Sequence, residues 1–474
     1  MKRFLTILLT TLALSAVLCV SASASNFDSV AEELSAIGMF KGTAGGFDLD
    51  KVPTRGQAAI MLVRLYGAEQ AAQNTYSSGR ITCPFTDVSE TVAPYVAWLV
   101  DEGIANGTTA TTFGASDPCT ARAYTIFLLR ALGYQDETDF TAVTAQDFAA
   151  KLGLLDTSSL SGTFLRDDVA AMTYQALGLD RKSGDTYLLD HLIKEGFIDA
   201  NDAYPIVEKI ENARALSAAS AAMDKGLSAN IDANMSITVT PQGAASSQEQ
   251  VRVEHSVLSC KGNIKMIPSI SPQIAYDLNV KEEGGNSQRV QMWMQNGWLY
   301  LQTGDEGIKM EIPEMADAYE AMMSSGMPAS TGVSILPFVE YMTAKDSGTD
   351  KVYSLEMNDV FVNLLNSAVV SGLMESGLPG NVIGEFKFDQ FKLDYTVKNG
   401  ALKTISADVS VSVDVDANMG QKPAIMKTVG ISMQMKMDVA ATGAAVKITY
   451  PDFSKFEEVI GGADQLASPA DQAA

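Results

Sequence analysis

Apolar positions follow two different periods along this chain, and the change falls near residue 229. Before it, apolar residues recur every three to four positions, as in Val30 to Met39, Ala93 to Glu102 and Ala145 to Leu154. That period predicts amphipathic helices. After it, apolar and polar residues alternate, which predicts antiparallel strands with one dry and one wet face. The pattern therefore predicts a multidomain α plus β protein, with an all-α half followed by a β half.

A sequence pattern recurs three times in the helical half: a short polar motif, then a mostly apolar segment, then a glycine. The copies run from Thr54 to Gly67, from Thr120 to Gly133 and from Phe164 to Gly178. A polar start and a glycine stop are typical of a capped helix. Each copy also has an upstream helix, and a two-helix unit cannot bury its apolar faces alone. We therefore expect three helical units to share one core under approximate threefold symmetry. Their predicted bounds are 26–68, 82–134 and 139–204.

The β half, predicted at 229–452, is expected to form one large curved antiparallel sheet of about nine strands with helices on its apolar face. Asn296-Gly297 and Asn399-Gly400 are typical of tight hairpin turns. The alternation of Phe386, Phe388, Phe391, Leu393 and Tyr395 slips by one position near 389–390, which predicts a β-bulge. The other predicted segments are a helical connection at 205–228, helices at 313–323 and 360–375, and a tail at 453–474.

The first residues predict export. Lys2 and Arg3 precede an apolar run that ends at Val20, and the small residues Ala22 to Ala24 follow. These are the three parts of a secretory signal peptide, here 1–24, and no membrane-spanning segment is expected after its cleavage. Lipoprotein processing at Cys19 is the alternative, although the preceding leucine is bulky for it. We therefore expect a secreted protein of a bacterial cell wall or cell surface.

Charge and residue usage narrow the functional classes. The formal net charge is −23, and loss of the two cationic residues of the leader makes it −25. Such an acidic surface repels phosphate backbones, so nucleic acid is not an expected partner. His191 and His255 are the two histidines of the chain, which leaves little material for a histidine metal site or a serine triad. We expect no enzyme activity, no cofactor and no metal. Cys83 and Cys119 bracket the second unit, and whether they pair stays open.

The second helical unit resembles the S-layer homology family. The matching sequence motifs are Phe85 to Val88 (FTDV), Pro94 to Leu99 (PYVAWL), Gly103 to Thr108 (GIANGT) and Thr112-Phe113. The first unit lacks the tryptophan, and the third keeps mainly Phe164 to Asp167. The resemblance covers roughly residues 26–204 and implies a module that holds its protein on the cell wall without covalent attachment.

The resemblance also implies a binding site. In that family, grooves between repeats bind secondary cell-wall polysaccharide, often through a negatively charged pyruvyl ketal. Arg55 and Arg166 match the arginine of the helix-opening phrase, and Asp87 matches the early aspartate. The second unit has Ala121 at the arginine position and Arg122 one place later. One residue is about 100° of helix rotation, which puts that groove in doubt. An arginine fork beside a helix N-terminus suits a carboxylate.

The β half resembles the fold of periplasmic lipoprotein carriers (LolA-like) and related surface lipoproteins (LppX-like). Trp298 to Tyr300 and Lys309 to Ile312 match it as architecture, without a chemical motif. That resemblance implies an alternative function, a lipid or hydrophobic-ligand binding protein of the envelope. A hydrolase that uses clustered carboxylates is a further alternative. The first expectation is a non-enzymatic surface protein whose β half has an unknown task.

Overall fold

The computed structural model describes residues 27–42, 45–154, 162–241, 254–268, 272–311, 333–361, 383–416 and 426–458. The predicted signal peptide, the predicted helix at 313–323 and most of that at 360–375 lie outside these residues. The described part has helices in its N-terminal half and one large sheet in its C-terminal half, so the coarse α plus β organisation is confirmed.

Nine α-helices form the described helical half. They are α1 (Asp28–Ala36), α2 (Arg55–Leu65), α3 (Glu69–Ser77), α4 (Ala93–Asp101), α5 (Ala121–Ala131), α6 (Ala145–Leu152), α7 (Arg166–Gly178), α8 (Leu188–Lys194) and α9 (Ala200–Ser220). The three predicted two-helix units are α1 with α2, α4 with α5, and α6 with α7. Neither α3 nor α8 was among the helices predicted from the sequence.

The three units pack against one another around a continuous apolar core. α2 contacts α4 and α5, α5 contacts α6 and α7, and α7 contacts α1. This core includes five fully buried leucines: Leu34, Leu62, Leu99, Leu128 and Leu177. The expectation that the units share one core is therefore confirmed.

The helix ends follow the predicted pattern in two units out of three. Thr54 and Thr120 cap α2 and α5 by accepting a hydrogen bond from the backbone N–H three residues later. Gly67 and Gly133 follow these helices with φ of 65° and 91°, a conformation that favours glycine. Gly178, however, is the last residue of α7 and is not a left-handed stop, so the predicted role of the third glycine is wrong.

The predicted connection at 205–228 is the long helix α9, which begins five residues before the predicted start. Its apolar face includes Ile206, Ile210, Ala213 and Leu216, and it packs on strands of the sheet. Within the described residues, no helix is long and apolar enough to cross a membrane.

The sheet contains twelve described strands, three more than expected. They are β1 (Leu227–Pro241), β2 (Glu254–Ile267), β3 (Gln273–Glu282), β4 (Ser287–Gln295), β5 (Trp298–Thr303), β6 (Glu306–Glu311), β7 (Val339–Ser347), β8 (Asp350–Met357), β9 (Ile383–Lys398), β10 (Ala401–Asp416), β11 (Met426–Thr442) and β12 (Glu457–Glu458). Their order is β12-β6-β5-β4-β3-β2-β1-β11-β10-β9-β8-β7. All neighbours are antiparallel except β12 and β6, which are parallel.

Register places the predicted apolar residues side by side. Met235 lies opposite Met433, which lies opposite Val409, and all three are buried. The neighbouring residues Ser432 and Gln434 are exposed on the other face. The predicted alternation of a dry and a wet face is confirmed in these strands.

Both turn predictions and the bulge prediction are confirmed. Asn296 and Gly297 have φ of 53° and 74°, and Asn399 and Gly400 have φ of 51° and 74°, as a type I′ turn requires. In the pairing of β9 with β10, Gln390 lies opposite Ser410 and Phe388 opposite Val411. Asp389 is therefore the extra residue of a bulge.

The predicted tail begins with ordered structure. Residues 453–455 form a 3₁₀ turn, and β12 pairs with β6. The Phe453 ring stacks on Tyr300 at 3.6 Å between centroids, and Phe456 packs edge-on against Trp293. This C-terminal segment therefore covers an aromatic cluster on the wet face of the sheet.

The two halves are joined by a small polar network. Lys209 Nζ on α9 donates to Glu33 Oε1 on α1 at 2.6 Å and to the Val339 carbonyl on β7 at 3.4 Å. The Tyr174 hydroxyl on α7 donates to the other carboxylate oxygen of Glu33. Beside the network, Phe27 packs edge-on against Phe338 at 5.6 Å. The helical half and the sheet thus share one interface.

Candidate functional site

Arg55 lies at the junction of the first and second units, where the N-terminus of α2 meets the loop 113–118. Arg55 N donates to Asp117 O at 2.8 Å, and the next amide donates to Ala115 O at 2.9 Å. In the Arg55 side chain, Nε donates to Phe113 O at 3.1 Å and Nη2 to Asn106 O at 3.0 Å. Its guanidinium carbon is 4.7 Å from the centroid of the Phe113 ring. We call this place the Arg55 groove.

Arg166 lies at an equivalent junction, between the third and first units. Arg166 N donates to Lys51 O at 2.8 Å, and the next amide donates to Leu49 O at 3.1 Å. Its Nε donates to Phe47 O at 2.9 Å, and its guanidinium carbon is 5.2 Å from the Phe40 ring centroid. We call this place the Arg166 groove.

The two grooves are built from equivalent positions. Phe47 precedes Arg55 by the same number of residues as Phe113 precedes Ala121, so loops 47–51 and 113–117 occupy the same place in their units. Each loop accepts two backbone bonds from the helix of another unit and one bond from an arginine Nε. Two such junctions with the same bonds show that the sequence repeat is also a structural repeat.

The terminal nitrogens of Arg166 are the side-chain donors of this residue that are left for a ligand. Arg166 is 8 % exposed, and among the described residues Nη1 and Nη2 have no hydrogen-bond partner. Burial lowers the pKa of Arg166 from its ordinary value, and the nearby Asp48 opposes that shift. Burial likewise lowers the pKa of Arg55. Since an arginine starts far above neutral pH, both side chains stay cationic.

The first two amides of α2 and α7 are not available to an anion, because they donate to the facing loops. The sequence reading expected these helix N-termini to support a bound carboxylate. In the structure these amides bind protein carbonyls, so the guanidinium groups are the remaining candidate donors for a ligand.

Asp87 binds the backbone of the loop that forms the Arg55 groove, whereas Arg122 lies away from both grooves. The two carboxylate oxygens of Asp87 accept hydrogen bonds from Phe113 N at 2.8 Å and Gly114 N at 2.7 Å. These bonds lower the pKa of Asp87. Arg122 is exposed, and its Nε lies 3.5 Å from Gln146 Oε1 on α6. Of the four predicted site residues, only Arg55 and Arg166 occupy equivalent grooves.

Sequence reasoning missed the partners of these arginines. The aromatic rings are Phe113 and Phe127 at Arg55 and Phe40 at Arg166, and the carbonyls belong to Phe113, Asn106 and Phe47. A signal was present, because a phenylalanine stands at the same distance before the helix-opening phrase in the first two units.

Other candidate chemistry is sparse in the described part of the chain. It contains no cluster of three or more His, Cys, Asp or Glu residues that could hold a metal ion. Cys83 and Cys119 are both free thiols. A polar cavity of about 460 Å³ lies between α9 and the connection from α7 to α8, lined mainly by Asp180, Asp185 and Arg214. Its charged side chains are largely exposed or already paired.

Comparisons with known proteins match parts of the chain. Residues 97–197 match the family model described as X-Prolyl dipeptidyl aminopeptidase PepX, N-terminal. An endoglucanase of Bacillus sp. (strain KSM-635) is 35% identical over 78 residues, which is 16% of this chain and 8% of the endoglucanase. The matched stretch is thus a small fraction of that relative.

Two solved structures show limited similarity. The chain is 14% identical to LprF from Mycobacterium bovis, with a TM-score of 0.22 over 51% of this chain and 97% of LprF. It is 8% identical to the outer membrane protein OprG from Pseudomonas aeruginosa, with a TM-score of 0.12 over 45% of this chain and 94% of OprG. At these scores neither structure informs the function of this chain.

Proposed function

We propose that the helical half is a cell-wall anchoring module that binds an acidic polysaccharide through the Arg55 and Arg166 grooves. The observation that carries the proposal is the repeated junction, in which an arginine is held by a phenylalanine carbonyl and lies against an aromatic ring. The proposal includes export, which the leader pattern at 1–24 predicts.

The physical basis is a preorganised guanidinium. In each groove the Nε bond and the aromatic ring restrict rotation of the side chain, so little rotamer entropy is lost when a ligand binds. Terminal nitrogens of a guanidinium form paired, charge-assisted hydrogen bonds to a carboxylate. A carboxylate on the polysaccharide, such as a pyruvyl ketal, supplies the matching charge. The β half then stands outside the wall as a part with a separate, unassigned task.

A binding experiment tests the proposal with the chain from residue 25 onward. Two probes are used: purified bacterial walls, and a methyl hexoside that carries a 4,6-pyruvyl ketal. We expect co-sedimentation with the walls, loss of it after the wall polysaccharide is removed with acid, and binding of the ketal sugar but not of the same hexoside without the ketal.

Variants assign the binding to the grooves. Arg55→Gln and Arg166→Gln should each weaken binding about tenfold, because each removes one charged fork. Arg122→Gln is the matched control, since Arg122 is exposed and outside both grooves, and it should bind like the wild type. Circular dichroism verifies that each variant is folded. Full binding by a folded Arg55→Gln/Arg166→Gln double variant would contradict the proposal.

A further inference from the structure

Asp87 connects to Arg55 through a single residue, Phe113. The Asp87 carboxylate holds the amides of Phe113 and Gly114 at 2.8 and 2.7 Å. The carbonyl of Phe113 accepts the bond from Arg55 Nε, and its ring lies against the Arg55 guanidinium. Two of the contacts that orient the guanidinium are therefore made by the residue whose backbone Asp87 holds, and the others are the bond from Nη2 to Asn106 O and the Phe127 ring at 5.8 Å.

The loop around Phe113 is held by close contacts. Gly114 has a φ of 75°, and a Cβ added there would lie 2.5 Å from an oxygen of Asp117. Just before Phe113 in the chain, the carbonyl of Thr111 accepts a hydrogen bond from Thr86 N at 3.0 Å. Loss of the Asp87 bonds leaves two amides without their acceptor, and the loop must turn to find another.

We infer that Asp87 is a positioning residue of the Arg55 groove: it sets the orientation of the Arg55 guanidinium through the Phe113 backbone without touching the ligand. This rests on the proposed function, which supplies the ligand. The hydrogen bonds of Asp87 go to the loop of the second unit, and the Arg166 groove is built on the loop of the first unit. Asp87 therefore acts on one groove and not on the other.

Binding of the ketal sugar in single-groove backgrounds tests the inference. In the Arg166→Gln background only the Arg55 groove carries its arginine, and there Asp87→Asn should weaken binding about tenfold. In the Arg55→Gln background the same change should leave the dissociation constant unaltered. Equal weakening in both backgrounds, or none in either, would overturn the inference.

A matched control is available in the third unit. Asp139 is also a carboxylate that accepts a backbone N–H, from Gln135 at 2.7 Å, and it pairs with Lys182 at 2.7 Å. Asp139→Asn should leave binding unchanged in both backgrounds. A weakening like that of Asp87→Asn would mean that the effect comes from general loosening of loops, which also contradicts the inference.

A readout without ligand separates this inference from the proposed function. Hydrogen exchange of the arginine Nε–H protons is measured by NMR, with Arg55 and Arg166 assigned from their glutamine variants. Asp87→Asn should speed exchange at Arg55 about tenfold and leave exchange at Arg166 unchanged. If the wild type does not bind the sugar but this selective change occurs, the proposed function fails and the positioning role stands. If Asp87→Asn leaves the exchange rate at Arg55 unchanged, the positioning role is refuted.

Discussion

Breaking the network that joins the two halves should destabilise the whole chain. Lys209 Nζ lies 2.6 Å from Glu33 Oε1, and the two side chains are 12% and 27% exposed. In Glu33→Gln, the Lys209 ammonium loses its anionic partner and keeps the Val339 carbonyl at 3.4 Å as an acceptor. The Tyr174 hydroxyl can still donate to the amide oxygen of the glutamine, so the main loss is the opposite charge.

The magnitude follows from the burial of the pair. Removal of one partner from a fully buried ion pair costs about 3–5 kcal/mol of unfolding free energy. Since Glu33 is partly exposed, we expect about 2–3 kcal/mol for Glu33→Gln and a similar loss for Lys209→Met. The double variant should lose less than the sum of the two, because it leaves no uncompensated charge.

Urea unfolding measures this with probes in both halves. Trp98 lies on α4, whereas Trp293 and Trp298 lie on the sheet. Fluorescence of a Trp98→Phe variant therefore reports on the sheet, and far-ultraviolet circular dichroism reports largely on the helices. Because the halves share an interface, both signals should shift to lower urea in Glu33→Gln.

The control is the exposed pair of Lys261 and Asp232, whose side chains are 68% and 48% exposed. Lys261→Met should cost less than about 1 kcal/mol. The reasoning is refuted if Lys209→Met costs no more than Lys261→Met, or if the losses in the Glu33→Gln/Lys209→Met variant simply add.

Three further outcomes are expected. Burial raises the pKa of Asp167 to about 7, so the folded state retains a proton that the unfolded state releases near pH 4; stability should fall as pH rises from about 4 to 7, and Asp167→Asn should remove that slope in urea midpoints measured across pH. Gly67→Ala should cost more than about 3 kcal/mol by thermal unfolding, because its φ is 65° and the new Cβ would lie 2.1 Å from the Phe197 ring; the control Gly79→Ala has a similar φ and open space and should cost about 1–2 kcal/mol. Burial raises the pKa of Cys119 to about 11, so this thiol should resist a disulfide reagent at pH 8 until urea unfolds the chain; rapid labelling of the native protein would contradict its burial.

Local patterns in the sequence were sufficient for the elements with strong short-range signals. The structure has these elements as predicted: the helix starts at Thr54 and Thr120, the two Asn-Gly turns and the bulge at Asp389. Each depends on a few neighbouring residues. These features are local because capping, turn geometry and side-chain alternation act over less than one turn or one strand pair.

The tertiary structure decided what those elements contact. In the sequence, Asp87 matches a groove residue of the family motif. In the structure, its carboxylate accepts a hydrogen bond from the Phe113 amide, twenty-six residues away. Arg55 and Arg166 matched the same motif position, but their carbonyl and aromatic partners come from other units. The bond from Lys209 to Glu33 joins residues 176 positions apart. Sequence periodicity determines which face of an element is buried, whereas long-range packing determines which polar groups meet, since that depends on the relative placement of whole helices and loops.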